Sequence, residues 1–64
     1  MTPSRREWIL LEELDDAAPQ ALGDVVSAEA LVGRGWLRGV RGWRYDLTAE
    51  GARALTRGRI AYAG

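Results

Sequence analysis

Nothing in this chain can staple the fold together. Its 64 residues include neither cysteine nor histidine, which excludes disulfides, the usual structural zinc sites, and thiol or imidazole catalysis. A chain of this size buries only about 60% of the surface its unfolded form exposes. One domain is therefore expected over residues 1–64, with a core of aliphatic side chains and three tryptophans, standing alone or helped by a second copy. With no histidine, and with helix caps accounting for Ser27 and Thr48, neither these hydroxyls nor that of Thr56 is activated as a nucleophile. No enzyme, cofactor, metal or small-molecule substrate is expected.

The stretch "TPSRREWILLEELDD" opens with Ser4 and Glu7 at the spacing of a capping box, in which each side chain satisfies the other residue's free backbone N–H. This predicts a helix from about Arg5 to Asp16. Leu10, Leu11, Leu14 and Ala18 form its core stripe, flanked by Trp8 and Ile9, and "EELDD" is read as the wet face. Pro19 suits the first turn of a second, short helix to about Leu22 or Val26. Ser27 then caps a third helix through "AEALVGRG", closed by Gly33 or Gly35, with Val26, Ala30 and Leu31 inward.

From Trp36 the pattern changes. In "WLRGVRGWRYDLT" strand-forming residues alternate and glycines punctuate, which reads as a hairpin turning near Arg41 and Gly42. A strict two-residue turn sets Leu37 opposite Asp46, so a bulge or a longer loop is expected. If Leu37 and Leu47 share the inner face, the period of two adds Trp43 and Tyr45 to it and sets Arg44 and Asp46 outside, with the register left open. Thr48 caps a last helix, "TAEGARALTRG", with Glu50 in its first turn, Arg57 in its last, and Ala52 and Leu55 facing inward. Residues 59–64 form a tail that continues this helix or frays.

Charge is divided between the two halves. Residues 1–33 hold two arginines against seven carboxylates, net −5, and residues 34–64 hold seven arginines against two carboxylates, net +5. Such separation points either to an anionic partner for the basic half or to mutual attraction of the halves across the fold. All nine basic residues are arginine, the usage of a GC-rich bacterial or phage genome. No apolar run approaches the ~20 residues of a membrane helix, and the N-terminal segment turns acidic where a signal peptide is apolar. A cytoplasmic protein is expected.

Helix, short helix, helix, hairpin, helix is the order of a winged helix-turn-helix. "ALVGRGWL" (residues 30–37) and "YDLTAEGARAL" (residues 45–55) resemble the "LxxxGWL" and "YxLTxxGxxxL" signatures of MarR-type and PadR-type regulators. The resemblance covers roughly Leu10 to Leu55. It implies an α+β winged-helix fold with three N-terminal helices, a β-hairpin wing and a C-terminal helix, and duplex DNA as partner. The residues expected to meet DNA are Arg34, Arg38, Arg41 and Arg44, as wing arginines do in those families, with Ser27 at the start of the third helix and Trp43, which can stack on a base or sugar or bind a protein partner. Trp43 has a second reading, as a lid over the hairpin's inner face. The third helix exposes Ser27, Glu29 and Arg34 but no asparagine, glutamine or lysine to read base edges, so backbone contacts are expected to dominate. A single small domain binds weakly, so a homodimer or a protein partner is expected as well. A rival reading is a protein-interaction module on the same frame, without base readout.

Overall fold

In the computed structural model, which describes residues 1–16 and 18–63, the chain is a small α+β fold of three helices and a three-stranded antiparallel sheet. The elements run α1 (Arg5–Glu13), β1 (Gln20–Ala21), α2 (Val25–Gly33), β2 (Leu37–Val40), β3 (Arg44–Leu47) and α3 (Ala49–Tyr62). The strand order is β1-β3-β2, which makes β3 the centre of the sheet.

The first helix starts as its sequence predicts. Ser4 Oγ accepts the Glu7 N–H at 3.1 Å and Glu7 Oε1 accepts the Ser4 N–H at 2.7 Å. Leu10, Leu11 and Leu14 are buried, whereas Ile9 faces solvent. The helix ends at Glu13 rather than near Asp16, because Leu14 to Asp16 form a turn in which Asp16 takes a φ of 55°. Aspartate tolerates this left-handed conformation better than most residues. The helical stripe is cut there, and Ala18 lies exposed instead of in the core. Ala17 and Gly64 lie outside the described residues.

The short helix expected from Pro19 is replaced by an extended strand, so two helices rather than three precede the hairpin. Gln20 and Ala21 pair with Tyr45 and Arg44 along the free edge of β3. Pairing satisfies backbone groups that the edge otherwise leaves open, and a helix this short, broken by Gly23, offers nothing comparable. The Gln20 side-chain amide also donates to the Glu13 carbonyl at 2.6 Å, closing the end of α1.

Asp24, not Ser27, caps α2: Oδ1 accepts the Ser27 N–H at 3.0 Å and Oδ2 accepts the Ser27 hydroxyl at 2.6 Å. The face that packs on the core differs from the expected one. Ala28 and Leu31 are buried, while Val26 and Ala30 turn outward. Gly35, at φ 84°, terminates the helix in a Schellman motif, its N–H donating to Val32 O and that of Trp36 to Leu31 O.

The hairpin register is Leu37↔Leu47, Arg38↔Asp46, Gly39↔Tyr45 and Val40↔Arg44, which leaves a three-residue loop of Arg41, Gly42 and Trp43. The longer loop brings the two leucines opposite each other, as the pattern requires. Tyr45 and Leu37 are buried on the inner face. Trp43 is not, because it sits in the loop at φ 57°, outside the alternation of the strand.

The base of the hairpin is locked to α3 by the residues of the two signature segments. The Thr48 N–H donates to Trp36 O at 3.2 Å, its hydroxyl donates to Gly35 O at 2.5 Å, and the same oxygen accepts the Gly51 N–H at 3.0 Å. Gly51 lies so close beneath the Trp36 carbonyl that no side chain fits there. The inward face of α3 therefore runs Gly51, Ala54, Leu55 and Gly58, at i, i+3, i+4 and i+7, and Ala52 faces solvent. The helix continues through the expected tail to Tyr62, whose hydroxyl donates to Pro3 O at 2.6 Å, and Arg59 replaces Arg57 as the basic residue of the last turn.

Candidate nucleic-acid interface

The hairpin tip groups two arginines and an exposed tryptophan, Arg41, Trp43 and Arg44, within four residues. The left-handed backbone at Gly42 (φ 84°) and Trp43 (φ 57°) turns the indole outward, leaving it 70% exposed. The Arg44 Nε donates to the Arg41 carbonyl at 2.9 Å, which closes the loop on itself. Neither Arg41 nor Arg44 forms an ion pair among the described residues.

The other two arginines expected here are engaged. Arg34 pairs with Glu7 at 3.0 Å and lies 5.1 Å from the centre of the Trp36 ring, and Arg38 pairs with Asp46 at 2.7 Å directly across the strands. Ser27, the remaining expected contact on α2, is held by the Asp24 cap. Its hydroxyl bond, then its backbone bond, keeps the Asp24 carboxyl below its ordinary value. The six expected residues thus divide into a tip of Arg41, Trp43 and Arg44 and three side chains already occupied within the fold.

Much of the charge division is absorbed internally. Arg59 reaches Glu12 at 2.8 Å and Asp15 at 2.5 Å, and with Arg34–Glu7 these contacts join the basic half to the acidic one. The Arg59 guanidinium, donating to Glu12, holds that carboxyl below the usual carboxylate range against the opposing effect of partial desolvation.

Beside the tip lies an open cleft of about 290 Å³ lined by Glu29, Gly39, Val40, Gly42, Trp43, Arg44 and Tyr45. The Tyr45 hydroxyl donates to Glu29 Oε2 at 2.7 Å, tying the centre of the sheet to α2. That bond, then desolvation and the carboxylate's charge, push the Tyr45 phenol above its ordinary value. Local spacing gives no hint of this pairing, since the two residues stand sixteen apart on different elements. The outward face of α2 presents Val25, Val26, Glu29 and Ala30, with Val26 82% exposed and no basic side chain.

Among the described residues no group of three or more acidic side chains is placed to hold a metal ion, and no helix is long and apolar enough to cross a membrane. Comparison of the chain with protein-family models, curated proteins and solved structures finds no match.

Proposed function

We propose that this chain is a small winged-helix DNA-binding protein, a bacterial or phage regulator or DNA accessory factor, that contacts the duplex backbone through the tip of its hairpin. The element order supports the reading, with the hairpin as wing and α2 in the place of the recognition helix; β1 stands where the middle helix of a helix-turn-helix is usually found. The observation that carries it is the tip itself: Arg41 and Arg44, which form no ion pair among the described residues, flank an outward-turned tryptophan at the end of a hairpin. Arginines in this setting neutralise phosphates, and an apolar ring between them lies against sugar or base edges. Base readout by α2 has no support, because its outer face offers valine, alanine and a carboxylate.

Two phosphate contacts correspond to a log-log salt slope of about −1.8 on B-DNA, from roughly −0.9 per phosphate. Fluorescence anisotropy of a labelled random duplex, measured as salt is raised, tests this. Arg41→Gln should lower the slope by about 0.9, while Arg38→Gln should leave it unchanged. A slope that neither Arg41→Gln nor Arg44→Gln alters would overturn the assignment. Contacts so few imply weak binding by one copy, so a homodimer or a protein partner is part of the proposal.

The outer face of α2 favours a second reading. An exposed Val25, Val26 and Ala30 beside Glu29 suits a protein partner better than phosphate. In that case the chain docks on a larger assembly through α2, duplex DNA does not bind, and Val26→Asp abolishes the association.

A further inference from the structure

The cleft between the hairpin tip and α2 brings together three kinds of recognition chemistry. The Trp43 indole supplies an exposed aromatic side chain, Glu29 a carboxylate from α2, and Arg44 a guanidinium whose Nε donates to Arg41 O, leaving its other N–H groups for a ligand. Its volume, about 290 Å³, falls just below the ~300–1,000 Å³ usual for small-molecule sites. That is room for one planar base, not for a duplex step.

Glu29 sets the selectivity. An ionised carboxylate only accepts hydrogen bonds, and its two oxygens offer about four lone-pair sites. The Tyr45 hydroxyl uses one site on Oε2, so both oxygens of this cleft-lining carboxylate keep acceptor capacity. Among the bases, guanine alone presents two adjacent donors, N1–H and the N2 amino group, on its Watson–Crick edge. Adenine and cytosine place a ring nitrogen acceptor beside their single amino group, and thymine flanks its one N–H with two carbonyls. A second cation is disfavoured as occupant because Arg44 lines the same cleft.

We propose that this cleft takes a single unpaired guanine base, stacked on Trp43 and held through N1–H and N2–H by Glu29, with its phosphate directed to Arg44. The inference rests on the nucleic-acid reading of the tip and goes beyond it, because a paired guanine has that edge engaged. The ligand is therefore a guanine in a single strand, a bulge or a frayed end, the setting in which bases are read by stacking and by their Watson–Crick edges.

The test uses short labelled oligothymidine strands carrying one central dG, dA or dC, with a fully paired duplex in parallel. The dG strand should bind about tenfold or more tightly than the dA or dC strand, the discrimination of a bidentate pair. Glu29→Gln should bring the three strands to within about twofold of one another, since an amide supplies one acceptor and an opposing donor. Trp43→Ala, at an exposed position, should weaken all three by a similar factor, about tenfold. Circular dichroism confirms that both variants keep the fold. Equal binding of the three strands overturns the guanine site, and if the duplex still binds, the reading of the tip stands without it. A dG preference with no duplex binding keeps the site and removes the duplex from the function. Binding of neither strand nor duplex overturns both, and capture of a basic peptide in that case marks the cleft as a protein contact.

Discussion

Replacing Gly51 with alanine should unfasten the hairpin from α3. A Cβ at this position falls 1.9 Å from the Trp36 oxygen, 2.9 Å from the Trp36 carbonyl carbon and 3.1 Å from Leu47 Cδ2. Ordinary contact begins near 3.4 Å, so helix and strand must separate by about 1.5 Å. The obstacle is backbone that accepts the Thr48 N–H, and it adjoins the Gly35 carbonyl that accepts the Thr48 hydroxyl, so neither group can yield without losing a bond. Overpacking costs roughly 1–3 kcal/mol and two weakened hydrogen bonds about 1 kcal/mol each, against a gain of about 1 kcal/mol for alanine over glycine in a helix. The net loss is about 2–4 kcal/mol, from a domain whose whole stability is of order 3–10 kcal/mol. Thermal melts followed by circular dichroism should place the variant roughly 10–30 °C below the parent. Gly33→Ala is the control, because nothing lies within 4 Å of its Cβ. It should hold or raise the midpoint. Gly58→Ala meets the base of the Trp8 side chain, with Cδ1 at 2.5 Å and Cγ at 2.8 Å, and like Gly51→Ala should lower the midpoint. A Gly51→Ala protein that melts at or above the parent temperature would refute the packing argument.

Further outcomes follow from single contacts. Ser4→Ala removes half of the capping box on α1 and should cost about 1 kcal/mol by urea denaturation. The Glu12 carboxyl is held below its ordinary value by Arg59, so its contribution is present above the unfolded carboxylate range and is lost as pH falls through the folded value. The urea midpoint should therefore drop between pH 7 and pH 3, and by less in Glu12→Gln; an equal drop in both would count against the linkage. Trp43→Ala should change the unfolding free energy by no more than about 0.5 kcal/mol, because the ring is exposed, whereas Trp36→Ala should cost about 3–5 kcal/mol by urea denaturation.

The parts of the fold legible in the sequence are those that local chemistry specifies. The Ser4–Glu7 capping box, Thr48 as the cap of α3 and a hairpin loop longer than two residues follow from spacing, whereas the register Leu37↔Leu47 is fixed only by the fold. Gly35 and Gly51 stand in the signature segments for reasons now visible: one turns the chain out of α2, the other admits the Trp36 carbonyl against α3. The elements misread are those decided by tertiary contact. β1 exists because β3 has an edge to fill, which nothing in "PQAL" announces. Asp24 displaces Ser27 as cap, and tertiary packing against the core turns Val26 and Ala30 outward, a phase that the periodicity of so short a segment does not fix.

The candidate site was legible as a list of arginines but not as a hierarchy. Four looked equivalent from Gly33 to Arg44. Only the fold distinguishes Arg34 and Arg38, paired with Glu7 and Asp46, from Arg41 and Arg44 at the tip. Trp43 was open to either reading until its backbone placed it in the loop. Glu29 carried no local signal, since its role depends on Tyr45 from another element.

The most direct test of the tip as the working surface is a backbone-amide and indole NMR titration with a random duplex at low salt. Shifts should concentrate at Arg41, Gly42, Arg44 and the Trp43 indole, spread little along α2, and fade as salt rises through the physiological range. Shifts centred on Val25 to Ala30 with a silent tip, or none at DNA concentrations spanning the usual non-specific range of about 10⁻⁴ to 10⁻⁶ M, would contradict it.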